Sequence, residues 1–372
     1  QRRADVSARV TAVTGSVGKT STKEALRHLL ELQGRTHASA ASYNNLWGVP
    51  LSLARMPSDT QYGVFEIGMN HAGEITPLTA QVKPHVAIVT MVAAVHLEHF
   101  DSVGAIADAK GEIFSGLKPG GVAVINGDLE WTQRLKDRAA KAGAARVLTF
   151  GRTATCDVRL NDLQLGEDGS EVGVTLFGKA LRYRVGAPGE HWALNSLGVL
   201  AVTASLGADA ERAAVDMATL SALAGRGARQ RITTPKGAFD LIDESYNANP
   251  LSMAVSIATL GRAKPSPGGR RIAVLGDMLE LGPTGAELHA GLAKPLAEHG
   301  IDLVFASGPL MNHLWPAIAE RQRGGYASAS SEIARAVADT VRAGDIVMVK
   351  GSNGSKMRLV VEALRALATA HQ

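Results

Sequence analysis

Two short motifs carry residue types suited to phosphate and metal chemistry. Residues 14–21 read Thr14-Gly15-Ser16-Val17-Gly18-Lys19-Thr20-Ser21, after an apolar run and before a helical pattern. A polyphosphate needs converging backbone N–H groups, which glycines free of Cβ crowding allow, and it favours the positive end of a helix. In that setting Lys19 reaches the outer phosphates and the Thr20 hydroxyl ligates Mg2+. The spacing is shorter than the common G-x-x-x-x-G-K-[ST], because Val13 stands where the first glycine would fall. The plainer alternative is a glycine-rich turn that only opens a helix. A metal there calls for an acidic residue at the end of a neighbouring strand, and Glu66 in Val64-Phe65-Glu66-Ile67 fits. Its plainer alternative is a salt-bridged structural carboxylate, since burying one unpaired in such a run is costly. His96, Glu98 and His99 follow another apolar run, but a His-x-x-His pair is weak evidence for metal on its own. Lys110 reads by default as a solvated helix lysine.

The elements that must position these groups alternate between strand and helix. Residues 10–13 read as a strand and 20–33 as a helix ended by Gly34, with Leu26, Leu29 and Leu30 as its buried stripe. Apolar runs follow at 63–67, 85–92, 121–125 and 146–150, with helical patterns between most of them. This alternation predicts a largely parallel sheet covered on both faces. Residues 157–185 instead alternate apolar and polar around an Asp168-Gly169 turn, a small antiparallel insert. Helices are expected near 191–206 and 211–223, and the glycine-rich stretch 225–229 looks like a linker. Beyond it strands are expected at 239–242, 272–275, 303–306 and 346–349. Helices are expected around 251–263, 285–299, 331–342 and 356–370, with a surface loop at 264–269. The expectation is two α/β domains, 1–227 and 228–372.

The 372 residues agree with that count at about 100–200 residues per domain. Thirty-nine basic against 35 acidic residues give +4, which suits an anionic small substrate and falls short of a nucleic-acid surface. With one cysteine, Cys156, the chain can form no internal disulfide and no cysteine zinc site, so a reducing, cytoplasmic location is expected. No apolar run approaches the roughly 18 residues that span a bilayer, so no membrane insertion is expected. The chain begins with Gln1, and a fragment or processed form is expected.

Taken together, the segments TGSVGKTSTKE (14–24), YNNLWGVPLSL (43–53), FEIGMNHAGEI (65–75) and HLEHF (96–100) resemble the Mur ligase family of ATP-dependent amide-forming enzymes. So do AKGEIFSGLKPGG (109–121), DESYNANPLSM (243–253), AVLGDMLELG (273–282) and VKGSNGSKM (349–357). The resemblance covers essentially the whole chain. It implies a P-loop ATPase domain, mainly parallel with the antiparallel insert, followed by a Rossmann-like C-terminal α/β domain. Gly15, Ser16, Val17, Gly18, Lys19, Thr20 and Ser21 would hold the ATP phosphates, and Thr20, Glu66 and His96 would ligate Mg2+. Lys110 falls at the family's carbamylated lysine, whose carbamate supports a second Mg2+. Lys19, Lys110 and His96 would thus carry the catalysis. Asn195, four residues after His191 on one helix, would read the adenine, and Arg226 would reach the outer phosphate. Asp243, Asn247 and Asn249 belong to a segment that closes over the nucleotide. Asn44 and Asn45 would face a nucleotide-sugar peptide, and Lys350 and Ser352 the carboxylate of an incoming dipeptide. The sequence departs from the family pattern at Glu244, Asn353 and Met91.

SYNANP and LGDMLELG point to the branch of the family that joins D-alanyl-D-alanine to UDP-N-acetylmuramoyl-tripeptide. A monomer is expected, with residues 225–229 as the hinge of a closing second domain. That branch carries a further N-terminal domain that grips the UDP moiety, and this chain enters the ATPase domain almost at once. Three alternatives stand beside this reading: a folylpolyglutamate or cyanophycin synthetase type of ligase, a nucleotide-binding fragment without catalysis, and a P-loop kinase or GTPase. The last lacks a Thr/Asn-Lys-x-Asp base-reading motif.

Overall fold

In the computed structural model, which describes residues 3–95 and 97–369, the chain forms two compact units, 1–221 and 222–372. The first contains β1 (Arg9–Thr14), α1 (Lys19–Glu31), β2 (Thr36–Ala38), α2 (Gly48–Ala54), β3 (Tyr62–Glu66), α3 (Ile75–Val82), β4 (Val86–Val89) and α4 (Val103–Gly111). It continues with β5 (Val122–Asn126), α5 (Thr132–Lys141), β6 (Arg146–Gly151), β7 (Val158–Gly166), β8 (Gly169–Leu176), β9 (Lys179–Val185), α6 (Glu190–Ser205) and α7 (Ala210–Asp216). All nine strands form one sheet in the order β2-β3-β1-β4-β5-β6-β7-β8-β9. Pairing is parallel from β2 to β7 and antiparallel from β7 to β9. The expected insert is therefore the far end of the same sheet.

Alternation along β1 divides the core. Val10 and Ala12 face the layer of α2 to α5, with Phe65, Ile75, Leu78 and Ile106. Val13 faces α1 and α6, with Leu26, Leu29, Leu30 and Leu197. The three leucines of α1 are fully buried, and each contributes about 1.5–3 kcal/mol relative to exposure. β1 is a switch point, because the chain leaves it towards β2 and β3 on one side and later lays β4 on the other. The crevice at the carboxyl ends of strands around such a point is where open α/β sheets take ligands.

The second unit comprises β10 (Ala228–Thr234), β11 (Gly237–Glu244), α8 (Pro250–Arg262), β12 (Arg271–Gly276), α9 (Gly285–Ala290), α10 (Ala293–Glu298), β13 (Leu303–Ser307), β14 (Arg323–Ala327), α11 (Ser330–Thr340), β15 (Ile346–Lys350) and α12 (Arg358–Thr369). Its sheet runs β10-β11-β15-β12-β13-β14 and is parallel except at β10. Apolar side chains of α8 and α10 cover one face, and those of α11 and α12 the other. β15 returns between β11 and β12, which creates a second switch point.

Four local expectations differ from the structure. The helix expected near 211–223 ends at Asp216 and passes into a 3-10 turn over Met217–Thr219. Residues 225–229 are not a free linker: Gly227 N–H donates to Asp243 O at 2.8 Å, and Ala228 and Arg229 open β10. The helix expected over 285–299 breaks at Gly291-Leu292, because Pro295 has no N–H for the Gly291 carbonyl. The strand expected over 85–92 stops at Val89; the Thr90 N–H bonds Thr14 O at the end of β1, and Met91 O accepts from Ser16 N–H in the loop that follows.

Candidate active site

The loop after β1 is shaped by its neighbour after β4. Ser16 N–H donates to Met91 O at 2.7 Å, Ser16 Oγ donates to Ala93 O at 3.1 Å, and Thr90 Oγ1 donates to Val17 O at 2.7 Å. Gly18 precedes α1 with φ 85°, in the region that favours glycine, and as the N-cap residue it has no side chain to cap the helix. The positive end of α1 thus faces the loop, as an anion site requires. Lys19 Nζ folds back onto Gly15 O at 2.6 Å. A Cβ on Gly15 would fall 2.0 Å from Thr90 Oγ1, so only glycine fits there.

Glu66, at the end of β3, is 1% exposed. Its Oε2 accepts from Thr20 Oγ1 and its Oε1 from Asn44 Nδ2, both at 2.8 Å. Both donors are neutral, and among the described residues no cation pairs with the carboxylate. The salt-bridged alternative therefore finds no support, and the hydroxyl and carboxylate oxygens suit a hard divalent cation. His96 lies outside the described residues. Among those described, no group of three or more His, Cys, Asp or Glu is arranged to hold a metal. Lys110 is not the solvated helix lysine of the default reading, since it is 2% exposed. Burial, reinforced by the charge of Lys19, holds its amine well below the usual lysine range.

Asn195 is brought to the same place by α6. A Cβ on Gly18 would lie 3.0 Å from its Nδ2, so the absence of a side chain at position 18 lets the amide approach the loop. Asn45 is exposed, and its Oδ1 accepts from the N–H groups of Trp47 and Gly48 at the start of α2. Asn44, expected to face substrate, spends its amide on Glu66.

In the second unit the remaining candidates gather at the carboxyl ends of β11 and β15. The Arg226 guanidinium stacks over Tyr246, 4.3 Å from the ring centroid. Buried Asp243 accepts from Ser245 Oγ at 2.6 Å and from Arg365 at 3.4 Å. Asn247 is exposed and bonds the N–H of Ala248, whereas Asn249 caps α8 in a reciprocal pair with Ser252. Buried Lys350 donates to Glu244 Oε2 at 3.2 Å and to Asn247 O at 3.0 Å. Ser352 Oγ accepts from Leu279 N–H at 2.9 Å and donates to Ala248 O at 3.3 Å, tying together the loops after β11 and β12.

Sequence reasoning passed over two residues that shape the first site. Thr90 gives no signal beyond ending an apolar run. Lys23 does give one: it lies three residues before Leu26 and seven before Leu30, on the apolar stripe of α1.

Comparison with known proteins agrees with this geometry. Residues 13–203 match the Mur ligase middle domain, and residues 225–353 match the Mur ligase, glutamate ligase domain. UDP-N-acetylmuramoyl-tripeptide--D-alanyl-D-alanine ligase of Escherichia coli is 33% identical over 99% of this chain and 79% of its own length. Its Rickettsia prowazekii counterpart is 30% identical over 97% and 79%. Among solved structures, MurF from Acinetobacter baumannii superposes with a TM-score of 0.86 at 27% identity, covering 98% of this chain and 78% of that one. The MurF ligase of Thermotoga maritima in complex with ADP gives 0.85 at 26%, covering 100% and 83%. With both domain models matched along most of its length, this chain belongs to the Mur ligase family.

Proposed function

We propose that this chain is an ATP-dependent amide ligase that adds D-alanyl-D-alanine to UDP-N-acetylmuramoyl-tripeptide through an acyl phosphate, acting in the cytoplasm as a monomer. One observation carries the reading. A buried carboxylate held only by neutral donors among the described residues, Glu66, is bonded to the second residue of a helix whose N-terminus has no side-chain cap. The substrates are those named for the relatives that the chain matches along most of its length.

A carboxylate is a poor electrophile. Attack of its oxygen on the γ-phosphorus of ATP releases ADP and leaves an acyl phosphate. The dipeptide amine then attacks the acyl carbon, loses a proton and expels phosphate, leaving an amide. The N–H groups of the 15–21 loop hold the phosphates, and the Lys19 ammonium offsets charge on the transferring group. Mg2+ bound by Thr20 and Glu66, with His96, would add further charge neutralisation. The depressed basicity of Lys110 favours its neutral amine, the form that captures CO2 as a carbamate with loss of a proton, and this longer carboxylate would suit a second cation. Asn195 would read the base, with Arg226, Asp243 and Asn247 as the nucleotide-facing groups of the second unit, where Asn249, expected among them, instead holds the start of α8 through its cap. Asn44 and Asn45 would face the nucleotide-sugar peptide. Lys350 and Ser352 would meet the dipeptide carboxylate, for which Lys350 must exchange its Glu244 partner.

The test supplies ATP, Mg2+, bicarbonate and UDP-N-acetylmuramoyl-tripeptide with either D-alanyl-D-alanine or glutamate, and detects products by mass spectrometry. Pentapeptide formation with the dipeptide alone is expected. Product with glutamate only would overturn the dipeptide assignment, and glutamate addition to a folate supplied in place of the tripeptide would transfer it to a folylpolyglutamate type of ligase.

A further inference from the structure

Lys23 is fully buried, and none of the chemistry above uses it. Its ammonium has three donors and three acceptors: Ser39 O at 2.9 Å, Ala41 O at 2.9 Å and Glu24 Oε1 at 2.5 Å. Two of these are carbonyls of the segment that leaves β2. Ala41 has φ 44°, a left-handed conformation that strains a non-glycine residue. Three residues on, Asn44 donates to Glu66 Oε1, and Ser39 Oγ accepts from Glu66 N–H at 3.3 Å. A closed circuit results, from Thr20 along one turn of α1 to Lys23, across to residues 39–41, along to Asn44, and through Glu66 back to Thr20.

We propose that Lys23 is a positioning residue: it pins the strained 39–41 turn so that Asn44 aims the Glu66 carboxylate, and it takes no part in holding phosphate. The inference rests on Glu66 being the cation ligand of the proposed reaction. A saturated ammonium offers no proton to an incoming anion, so Lys23 is not suited to hold phosphate despite its place four residues after Lys19 in the same motif. A guanidinium is planar and does not match three acceptors disposed around a tetrahedral centre.

The test compares Lys23→Met, Lys23→Arg and Lys23→Met/Ala41→Gly with the unmodified chain. Its readouts are the Mg2+ concentration for half-maximal activity, the KM for ATP at saturating Mg2+, and amide exchange at Tyr43, Asn44 and Gly68. Lys23→Met is expected to raise the Mg2+ requirement about tenfold, equivalent to one lost buried hydrogen-bond set, with the KM for ATP within about twofold. Exchange at the three amides should quicken in step. Lys23→Arg should behave like Met. Ala41→Gly should recover at least about threefold of the Met loss, because glycine adopts φ 44° without strain. Wild-type behaviour of Lys23→Arg would overturn the proposal in favour of a charge effect, as would a rise in the KM for ATP alone. Should Lys23→Met not fold, Lys23→Gln, which keeps two N–H donors, takes its place with a smaller shift of the same sign, and no shift overturns the proposal. An unmodified chain that forms no product defeats the ligase reading, while the exchange data still decide whether Lys23 pins the turn.

Discussion

Replacing Gly15 by alanine tests whether the loop after β1 binds nucleotide in the shape described. The new Cβ would lie 2.0 Å from Thr90 Oγ1 and 3.1 Å from Met91 N. The hydroxyl must withdraw by ~1 Å or more to restore ordinary contact. That removes its bond to Val17 O, at about 1–3 kcal/mol for a buried group left unsatisfied. Overpacking adds a cost of about 1–3 kcal/mol if the backbone yields instead. Because either relaxation distorts the loop, about 2–4 kcal/mol appears as lost nucleotide affinity, roughly thirty- to thousand-fold. Thr90→Ala alone removes the bond to Val17 and should weaken ADP binding about fivefold. In the double variant the obstructing oxygen is gone, and the Thr90 Cβ stands 3.2 Å away. Gly15→Ala should then add little, giving a coupling of at least about 1.5 kcal/mol. Isothermal titration of ADP into the four proteins measures it. Additive losses, or an unaltered affinity in Gly15→Ala, would refute the argument that this contact shapes the site.

Three further outcomes follow from other parts of the molecule. His85 accepts from Val10 N–H, and burial, then Lys118, Arg9 and Arg3, push its imidazole down to about 4. The unfolded chain takes up this proton near pH 6.5, so stability is full above that pH, falls between 6.5 and about 4, and levels off below. Full linkage would be ~3 kcal/mol, reduced to ~1–2 by partial exposure, and His85→Asn should remove that portion of the urea-midpoint profile against pH. Asn249→Ala should cost about 1 kcal/mol through loss of the α8 cap, read by thermal unfolding, with the KM for ATP within about twofold. A large rise in that KM would restore a direct nucleotide contact. Glu244→Gln, which weakens the hold on Lys350, should lower the KM for dipeptide about threefold, whereas Lys350→Met should raise it more than about tenfold. The opposite order in steady-state kinetics would remove Lys350 from the dipeptide site.

The sequence made the central strands legible and left the edges hidden. Runs such as 122–126 and 346–350 are buried on both faces and read as continuous apolar stretches. The three strands that the apolar pattern passes over, β2, β10 and β14, all lie at sheet edges. β10 buries only Ile232 and carries Arg229 and Arg231, and β14 contains two glycines, so neither presents an apolar run. At the first site the spacing of Gly15, Gly18, Lys19 and Thr20 put them in one loop because phosphate chemistry dictates such types, and the structure brings Glu66 to that loop through Thr20. That Asn195 comes beside Gly18 follows no spacing rule, and only the family resemblance singled it out. What could not be read was which polar groups turn inward. Asn44 spends its amide on Glu66, Asn249 on a helix cap and Ser352 on two loops, and no spacing rule separates those duties from contact with a ligand.

The junction between β6 and β7 is narrow, pairing only Phe150 with Val158 and Gly151 with Arg159. The meander beyond it is built from contacts close in sequence, whereas the β1 to β6 side depends on pairings across long separations. Local meanders form faster than crossover-linked parallel strands. The two halves are thus expected to fold at different speeds and to meet across a weak seam. α6 follows both in the chain and packs against strands on either side of that seam. Its docking joins the two halves, and it is also the helix that carries Asn195 to Gly18. Docking of α6 is therefore the step expected to assemble the proposed nucleotide pocket, so a chain stalled before α6 docks would keep most of its sheet and still lack the Asn195 amide beside Gly18.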